Sequence, residues 1–284
     1  MNIDDFRILF RKQLSGHTEP EEVENLCFIT LQHVLGMSRV EISLSRKQKL
    51  SNTQSKALTE ILSRLEKSEP IQYITGSTEF YGLEFKVNPA TLIPRPETEE
   101  LVEWMITSIG EIESNSTLNI LDIGTGSGCI AISIVKNLKS SKVSAIDISS
   151  EALKTASQNA MSNQVDIAFI EKDILQTKKL ESYYDIIVSN PPYVRDLEKA
   201  EMRANVLNNE PESALFVPDE DPLLFYRKIG NLAFKNLQDS GMLFFEINEY
   251  LGEETVTLLK KIGFKDVILR KDMFGKDRMI RANR

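Results

Sequence analysis

The stretch Leu118-Asn-Ile-Leu-Asp-Ile-Gly-Thr-Gly-Ser-Gly128 joins a short apolar run to a turn that contains three glycines. The run Leu118–Ile123 has the length and composition of a buried strand, and Cys129–Leu138 continues as an apolar helix. A glycine-rich turn between a strand and a helix brings bare backbone and a helix N-terminus close to a ligand. The stretch therefore predicts a nucleotide-binding strand–turn–helix unit.

The same alternation of strand and helix continues along the chain. The predicted strands are Val143–Asp147, Val165–Ile170, Tyr184–Ser189 and Gly241–Ile247, and the predicted helices are Ser150–Asn159, Pro222–Leu237 and Glu253–Ile262. Repeated units of this kind form a parallel sheet with helices on both faces, so the predicted fold class is α/β. Two last strands, Val267–Arg270 and Arg278–Arg281, follow one another across a short turn and should pair antiparallel.

The residues before this sheet have a different pattern. Apolar residues at helical spacing predict a small all-α bundle over residues 1–73, for which recognition of a partner is the natural hypothesis. In Leu83–Val87 apolar and charged residues alternate, which predicts a β-hairpin linker over residues 74–95. Residues 96–284 then form the predicted catalytic domain.

Composition and charge restrict the class of protein. The chain has 284 residues, of which 41% are hydrophobic and 27% charged, as in an ordinary soluble protein. It has no long apolar run and an acidic start, Met1-Asn-Ile-Asp-Asp5, so we expect a cytoplasmic protein without a membrane segment. Residues 1–75 carry balanced charge, and the whole net charge of −8 falls on the remainder. This balance disfavours a nucleic-acid substrate.

Cysteine and histidine are too few and too scattered for a metal site. Cys27 and Cys129 lie far apart without a CxxC spacing, so neither a disulfide framework nor a zinc site is predicted. His17 and His33 belong to no recognisable catalytic or ligand pattern. We therefore expect no metal and no histidine catalysis.

The stretch Asn190-Pro-Pro-Tyr193 follows the predicted strand Tyr184–Ser189, which ends where Pro192 removes a backbone donor. It therefore lies at the carboxyl edge of the sheet, where ligands bind in α/β folds. Asn190 offers a side-chain oxygen, Pro191 a main-chain oxygen and Tyr193 a flat face. Such a set fits a planar group that ends in NH2, either an amide or an exocyclic base amine. The alternative is a plain turn that ends a strand.

The glycine turn separates two classes of cofactor. A dinucleotide fingerprint needs a third glycine at position 129, where this chain has Cys129. The spacing Gly124-x-Gly-x-Gly128 is that of methyltransferases that bind S-adenosylmethionine, and Asp122 would lie near the methionyl ammonium. Asp147, at the end of the second strand, is placed to accept hydrogen bonds from ribose hydroxyls. Asp173 lies where an adenine amine could be met, although a plain loop aspartate is an equal alternative.

With these residues in this order, the chain resembles the protein-(glutamine-N5) methyltransferases that modify the Gly-Gly-Gln loop of bacterial peptide chain release factors. The resemblance covers nearly the whole length and rests on Phe80–Leu83, Thr91–Glu99, Leu121–Gly128, Ser189–Tyr193 and Glu210–Leu215. It implies a helical bundle and a hairpin before a seven-stranded, Rossmann-like methyltransferase domain. It also implies transfer of a methyl group from S-adenosylmethionine to the glutamine amide nitrogen N5, with S-adenosylhomocysteine as the product.

The resemblance also implies roles for individual residues. The predicted cofactor-binding residues are Gly124, Thr125, Gly126, Ser127, Gly128, Asp147, Asp173, Ile174 and Asn190. The predicted glutamine-binding residues are Asn190, Pro191, Pro192 and Tyr193. Of these, Asn190 and Pro191 would act in catalysis by holding the NH2 group, and Tyr193 by stacking on the amide. The chain departs from the family pattern at Phe216–Pro222, which replaces a glycine-rich segment, and at Ile174, where some members have an aromatic residue.

Several other functions compete with this interpretation. A methyltransferase for a ribosomal-protein glutamine, or for an exocyclic amine of a nucleic-acid base, presents the same NH2 geometry. The acidic charge and the absence of a basic insert interleaved with aromatics argue against the nucleic-acid substrate. A non-catalytic binding module is disfavoured by the intact glycines, Asp147 and Asn190, and a nicotinamide oxidoreductase by Cys129.

Overall fold

A computed structural model describes residues 1–16, 19–110 and 117–284, so His17 lies outside the described residues. The described chain divides into two compact units. The first comprises Met1–Gly76 and Arg203–Asn209, and the second comprises Ser77–Met202 and Glu210–Arg284. The predicted domain boundaries after residues 73 and 95 stay a prediction.

The first unit is helical. Its main helices are α1 (Ile3–Leu14), α2 (Pro20–Leu35), α3 (Arg39–Leu44), α4 (Asn52–Leu65) and α5 (Ile71–Thr75). Asn2, Ser38 and Ser51 begin three of them with capping boxes, in which side chains satisfy the free backbone N–H groups. The apolar faces form one core that includes the fully buried Phe6 and Phe10. This confirms the predicted helical bundle.

The second unit contains the strands and most of the remaining helices. Its strands are β1 (Ser77–Phe80), β2 (Leu83–Lys86), β3 (Leu118–Ile123), β4 (Ser141–Asp147), β5 (Ala168–Glu171), β6 (Tyr184–Ser189), β7 (Val194–Arg195), β8 (Phe216–Val217), β9 (Leu237–Glu246), β10 (Lys265–Lys271) and β11 (Asp277–Asn283). The helices that follow α5 in the chain are α6 (Pro96–Gly110), α7 (Cys129–Asn137), α8 (Ser150–Ser162), α9 (Ala204–Leu207, in the first unit), α10 (Glu212–Leu215), α11 (Leu224–Asn236) and α12 (Gly252–Ile262), with a 3-10 turn at Asp196–Glu201.

The main sheet has the order β10-β11-β9-β6-β3-β4-β5. The five adjacent strands β9, β6, β3, β4 and β5 run parallel to one another. Strand β11 pairs antiparallel with both β9 and β10. The seven-stranded sheet and the antiparallel C-terminal pair are therefore confirmed. The chain runs outward from β3 to β5 and returns as β6 on the other side of β3. This reversal creates a crevice at the carboxyl ends of β3 and β6, where open α/β sheets bind ligands.

Both faces of the sheet are covered by apolar side chains. Ile186 and Val188 of β6 belong to one buried cluster, whereas Ile187 between them belongs to another. The same alternation separates Phe244 from Phe245 on β9. Since successive residues of a strand point to opposite faces, the two clusters form the two layers of core. Among the described residues, no helix has the length and apolar character needed to cross a bilayer.

The predicted β-hairpin is also confirmed, and it is tied to the sheet domain. Strands β1 and β2 pair antiparallel, and Phe80 and Phe85 enter the core in edge-to-face contact. Asn159 on α8 accepts a hydrogen bond from the Lys86 N–H through Oδ1, at 2.7 Å. Its Nδ2 donates to the carbonyl oxygens of Lys86 and Ser127, at 3.0 and 2.9 Å. One buried side chain therefore connects the hairpin to the glycine turn.

Candidate active site

A cavity of about 450 Å³ lies among the loops that follow β3, β4, β5 and β6. This volume is in the range of sites for small molecules and cofactors. Ten of the twelve predicted site residues line it: Gly124, Thr125, Gly126, Ser127, Asp147, Asp173, Ile174, Asn190, Pro191 and Pro192. Gly128 and Tyr193 are the two predicted residues outside this lining. The fold thus brings together four separate segments of sequence.

The glycine turn is held open by backbone geometry. Gly124 and Gly126 have φ values of +77° and +56°, in the left-handed region that favours glycine. The N–H groups of Gly124 and Thr125 both donate to the Ile146 carbonyl, at 2.8 and 3.0 Å. A Cβ added to Gly126 would meet no atom within 4 Å, so the main chain at this residue borders open space. The turn presents bare backbone to the cavity.

Gly128 has a different task from the other two glycines. A Cβ at this position would come within 3.1 Å of the Ala156 Cβ and of the Ile132 Cδ1. That separation is too short for ordinary carbon contacts, so only glycine lets the turn pack so closely on α8. Gly128, predicted as a cofactor contact, therefore serves the packing behind the turn and does not line the cavity.

Asp147 stands at the end of β4 and braces the turn. Its Oδ2 accepts a hydrogen bond from the Gly126 N–H at 2.8 Å, and its Oδ1 accepts one from the Ser149 N–H at 2.9 Å. The carboxylate is half-buried and lines the cavity. Each oxygen has a further lone pair, so the group can still accept hydrogen bonds from a ligand.

Asp122 does not occupy the position that the sequence suggested. It is fully buried and is not among the described residues that line the cavity. The Thr125 hydroxyl donates to its Oδ2 at 2.7 Å. Burial, reinforced by the nearby Asp147 charge, raises the pKa of Asp122 to about 7. The structure therefore places Asp122 beneath Thr125, which it supports, and not in the lining, where it would contact a methionyl ammonium.

Asp173 and Ile174 form the far side of the cavity after β5. Asp173 Oδ1 accepts the Leu175 N–H at 2.8 Å, and its carbonyl accepts the Thr177 hydroxyl at 2.7 Å. These bonds fix the loop and direct Ile174, which is buried, against the cavity. Ile148, exposed and just beyond β4, adds a second apolar surface to the lining. Both side chains offer apolar surface against which an aromatic ring can pack.

The amide of Asn190 has a defined direction. Its Nδ2 donates to the Thr98 hydroxyl oxygen at 3.3 Å. Within the described chain, neither Asn190 Oδ1 nor the Pro191 carbonyl accepts a hydrogen bond, and both residues line the cavity. Two oxygen acceptors are thus free for a ligand that carries N–H groups.

Tyr193 is turned away from the predicted position. Its hydroxyl donates to Glu246 Oε1 at 3.0 Å, and its ring packs against the core on one face of the sheet. Burial raises the pKa of this hydroxyl well above its ordinary value, and the Glu246 charge acts in the same direction. A buried hydroxyl needs a partner, which explains why the ring follows its OH toward Glu246. Tyr193 is therefore not among the residues that line the cavity, and its stacking on a substrate amide stays a prediction.

Sequence reasoning assigned no role to four residues that contribute to this side of the site, Arg95, Glu210, Thr98 and Glu246. Arg95 lines the cavity and forms an ion pair with the buried Glu210, which also accepts the Ile93 N–H at 3.1 Å. Thr98 and Glu246 support Asn190 and Tyr193. A signal for Glu246 was present in the sequence, because it is the one charged residue in the apolar run Met242–Ile247.

The lining fits S-adenosylmethionine in size and in chemistry. It supplies a carboxylate at the end of the second strand of the sheet domain, exposed backbone at the glycine turn, and apolar side chains on the far side. These match a ribose, a methionyl chain and an adenine ring respectively. No group of three or more His, Cys, Asp or Glu side chains among the described residues is arranged to hold a metal ion.

The chain matches two protein families along its length. Residues 7–76 match the PrmC N-terminal domain, and residues 106–216 match the methyltransferase small domain. In three dimensions, a methyltransferase from Pyrococcus furiosus superposes with a TM-score of 0.52 at 18% identity, covering 79% of this chain and 98% of the other. That likeness shows the fold alone.

Two curated relatives extend the match over the whole chain. A release factor glutamine methyltransferase from Flavobacterium psychrophilum is 54% identical over 283 residues, covering 100% of this chain and 99% of the relative. One from Bacteroides thetaiotaomicron is 46% identical, covering 96% and 97%. The chain therefore belongs to the family of S-adenosylmethionine-dependent release factor glutamine methyltransferases.

Proposed function

We propose that this enzyme transfers a methyl group from S-adenosylmethionine to the side-chain nitrogen N5 of the glutamine in the Gly-Gly-Gln loop of peptide chain release factors. The observation that carries the proposal is the pair of free acceptors, Asn190 Oδ1 and the Pro191 carbonyl, in the lining of a cofactor-sized cavity. The names of the two relatives support the same substrate.

The proposed chemistry depends on alignment. An amide nitrogen is a poor nucleophile because its lone pair is delocalised into the carbonyl group. Two hydrogen bonds from the substrate NH2, to Asn190 Oδ1 and the Pro191 carbonyl, would hold the nitrogen with its lone pair directed at the methyl group. S-adenosylmethionine supplies that methyl as an electrophile on a sulfonium. Alignment of well-oriented partners can lower a barrier by about 7 kcal/mol or more.

Within this proposal, each part of the cofactor has a partner in the lining. Asp147 would accept hydrogen bonds from the ribose hydroxyls while it braces Gly126. Asp173 would accept from the adenine amine, and Ile174 would pack on the ring face. The main chain from Gly124 to Ser127 would lie along the methionyl group. Pro192 would complete the glutamine pocket next to Pro191.

Charge supports a protein substrate over a nucleic acid. Residues 76–284 carry 24 basic and 32 acidic side chains, and of these charged residues only Arg203 belongs to the first unit, so the unit that holds the cavity is acidic as a whole. A phosphate backbone would be repelled by such a surface in the absence of a strong local basic patch. We therefore propose no direct nucleic-acid or membrane partner, and a cytoplasmic location remains part of the proposal.

The test is to incubate the purified enzyme with isotopically labelled cofactor and, separately, with a release factor, a ribosomal protein and DNA. We expect label on the release factor only, at the Gly-Gly-Gln glutamine when peptides are mapped by mass spectrometry. A release factor with this Gln replaced by Glu is the matched control, because it keeps the size but loses the acceptor nitrogen. Label on the ribosomal protein or DNA in place of the release factor would contradict the proposal.

A further inference from the structure

Glu246 is a buried carboxylate that the proposed chemistry does not use. It ends β9 and is 1% exposed, yet no described Lys, Arg or His forms a salt bridge with it. Its Oε2 accepts the Thr98 hydroxyl at 2.6 Å, and its Oε1 accepts the Tyr193 hydroxyl at 3.0 Å. Burying a carboxylate without an ion pair is costly, so its presence next to a cavity calls for an explanation.

The hydrogen bonds around Glu246 favour its charged form. Burial has the largest effect and leaves the pKa of Glu246 above its ordinary value, while the Thr98 hydroxyl, the positive charge of Arg278 and the Tyr193 hydroxyl act in the opposite direction. Each carboxyl oxygen lies within hydrogen-bond distance of one hydroxyl. In its ionised form the group can only accept hydrogen bonds, so both hydroxyls then donate to it. The carboxylate therefore determines which partner donates in its two hydrogen bonds, to Thr98 and to Tyr193.

That direction determines what Asn190 presents to the cavity. The Thr98 hydroxyl has a single proton, which it gives to Glu246, so its oxygen can only accept from a further group. Asn190 supplies this group through Nδ2, at 3.3 Å. The opposite end of the amide, Oδ1, is then the end left for a substrate. With the amide reversed, Asn190 would present its own NH2 to the NH2 of the substrate, and the two donors would repel.

The same carboxylate restrains the chain after the prolines. Tyr193 is held at its hydroxyl by Glu246, and its carbonyl accepts Nδ2 of the buried Asn248 at 2.9 Å. Two contacts on one residue limit the movement of the preceding Pro191 carbonyl, the second acceptor. Both acceptors therefore depend on Glu246, which lies outside the cavity lining.

We propose that Glu246 is a positioning residue which, through the Thr98 hydroxyl, orients the Asn190 amide so that its oxygen faces the substrate nitrogen. The proposal rests on the proposed function, because it assigns Asn190 the task of accepting a hydrogen bond from an NH2 group. It predicts an effect on turnover that is separate from cofactor binding.

The test compares variants that change donors and acceptors without changing size. Glu246→Gln can donate to the Thr98 oxygen, and Thr98→Val removes the hydroxyl. We expect each to lower kcat by about 100-fold, as for loss of one positioned hydrogen bond, while the Kd for the cofactor stays within about threefold. Thr98→Ser should recover most of the turnover lost in Thr98→Val. The double variant should be no worse than either single variant, because the two residues act as one unit.

Thr255→Val provides the matched control. Thr255 is also fully buried and donates its hydroxyl at 2.7 Å, but to the carbonyl of Leu251, the residue that precedes its own helix. We expect this variant to lose stability to a similar degree in thermal unfolding and to keep its kcat. Thermal unfolding and cofactor binding of the Glu246→Gln and Thr98→Val enzymes show whether these variants are folded.

Several results would overturn the inference. Undiminished kcat in Glu246→Gln, a parallel loss of kcat and cofactor affinity, or a Thr98→Ser enzyme as slow as Thr98→Val would each do so. The wild-type enzyme is assayed on the release factor first. Failure of the wild type to methylate it counts against the proposed function, whereas an active wild type with an equally active Glu246→Gln counts against Glu246 alone.

Discussion

Two sides of one cavity are built in different ways. The glycine wall, formed by Gly124–Ser127 and Asp147, is held by hydrogen bonds from the main chain of the turn to partners 21 to 32 positions away in the sequence. The amide wall, formed by Asn190 and Pro191 with Thr98 and Glu246 behind them, is held by side chains 92 and 148 positions apart. The glycine wall consists mainly of main-chain groups braced by one carboxylate, whereas the amide wall depends on the side chain of nearly every member.

The difference separates two steps of the reaction. Backbone groups set by a strand and a turn are suited to bind a ligand that is always the same, the cofactor. Side chains with a fixed hydrogen-bond direction are suited to orient a reacting group. We therefore expect substitutions in the glycine wall to change cofactor affinity and those in the amide wall to change turnover.

The largest expected effect is that of Asn190→Ala in the amide wall. Loss of the side-chain acceptor should lower kcat by about 10³, because the substrate nitrogen is no longer aligned, while the cofactor Kd changes by less than about threefold. Steady-state transfer of labelled methyl and calorimetric titration of the cofactor measure the two quantities. Asn231→Ala, which removes a side-chain bond on the surface of α11, should leave both unchanged. Equal losses in kcat and in cofactor affinity would contradict the assignment of turnover to the amide wall and of cofactor binding to the glycine wall.

In the glycine wall, Asp147→Ala should act on affinity. It removes the partners of the Gly126 and Ser149 N–H groups and the acceptors that face the cavity. Hydrogen bonds to a charged group contribute about 1.5–3 kcal/mol, so the cofactor Kd should rise by about 10- to 100-fold. At saturating cofactor, kcat should fall much less than in Asn190→Ala. Asp166→Ala, at an exposed position beyond α8, is the control. A larger effect on kcat than on Kd would contradict the prediction.

Gly128→Ala tests the support behind the glycine wall. The added Cβ would lie 3.1 Å from Ala156 and Ile132, at a φ of +82° that alanine adopts only with strain. We expect the free energy of unfolding in urea to fall by about 1–3 kcal/mol. Gly110→Ala, where a Cβ meets no atom within 4 Å and φ is not positive, should change stability by less than about 0.5 kcal/mol. Equal stability of the two variants would show that the turn can move away from α8.

The smallest effect on activity is expected for Asp122→Asn. In the folded protein the pKa of Asp122 is about 7 because of burial, above the ordinary value of 3.8. The folded state therefore holds this proton more tightly than the unfolded chain, and the resulting stability is lost as the pH rises through 7. Relative to the variant, the wild type should lose on the order of 1 kcal/mol per pH unit between about pH 4 and 7.

Asparagine keeps an oxygen for the Thr125 hydroxyl and removes the titration. Urea unfolding at several pH values measures the difference between the two proteins. A pH-independent difference would show that Asp122 titrates normally, and a large rise in the cofactor Kd would return Asp122 to the role of a direct ligand.

The sequence predicted the parts of the fold that depend on local pattern. Strands β3 and β6 begin and end where their apolar runs do, at Leu118–Ile123 and Tyr184–Ser189. The prediction was less accurate for β9, which starts at Leu237 and not at Gly241. The polar residues that follow Leu237 have no strand pattern, and the strand extends there because Leu237 pairs with Tyr184 of β6. Pairing of distant residues is not visible in a local pattern.

Because contacts between distant residues are not visible in a local pattern, the glycine wall could be predicted more fully than the amide wall. The glycine wall could be predicted because its turn and the carboxylate after the next strand form a compact motif in sequence. Asn190 could be predicted from its own strand end, but its support could not. Thr98 and Glu246 reach Asn190 and Tyr193 only once α6 and β9 have packed around β6. The orientation of the Tyr193 ring could not be predicted for the same reason, because it depends on the hydrogen bond to Glu246.

Asn159 couples the hairpin to the glycine turn, so we expect the two to open together in local unfolding. Its amide uses both donors and one acceptor on Lys86 and Ser127. Fraying of β2 at Lys86 therefore removes support from the backbone that borders the cavity. Hydrogen exchange at the hairpin should consequently slow whenever the turn is stabilised by a ligand, although Asn159 itself does not line the cavity.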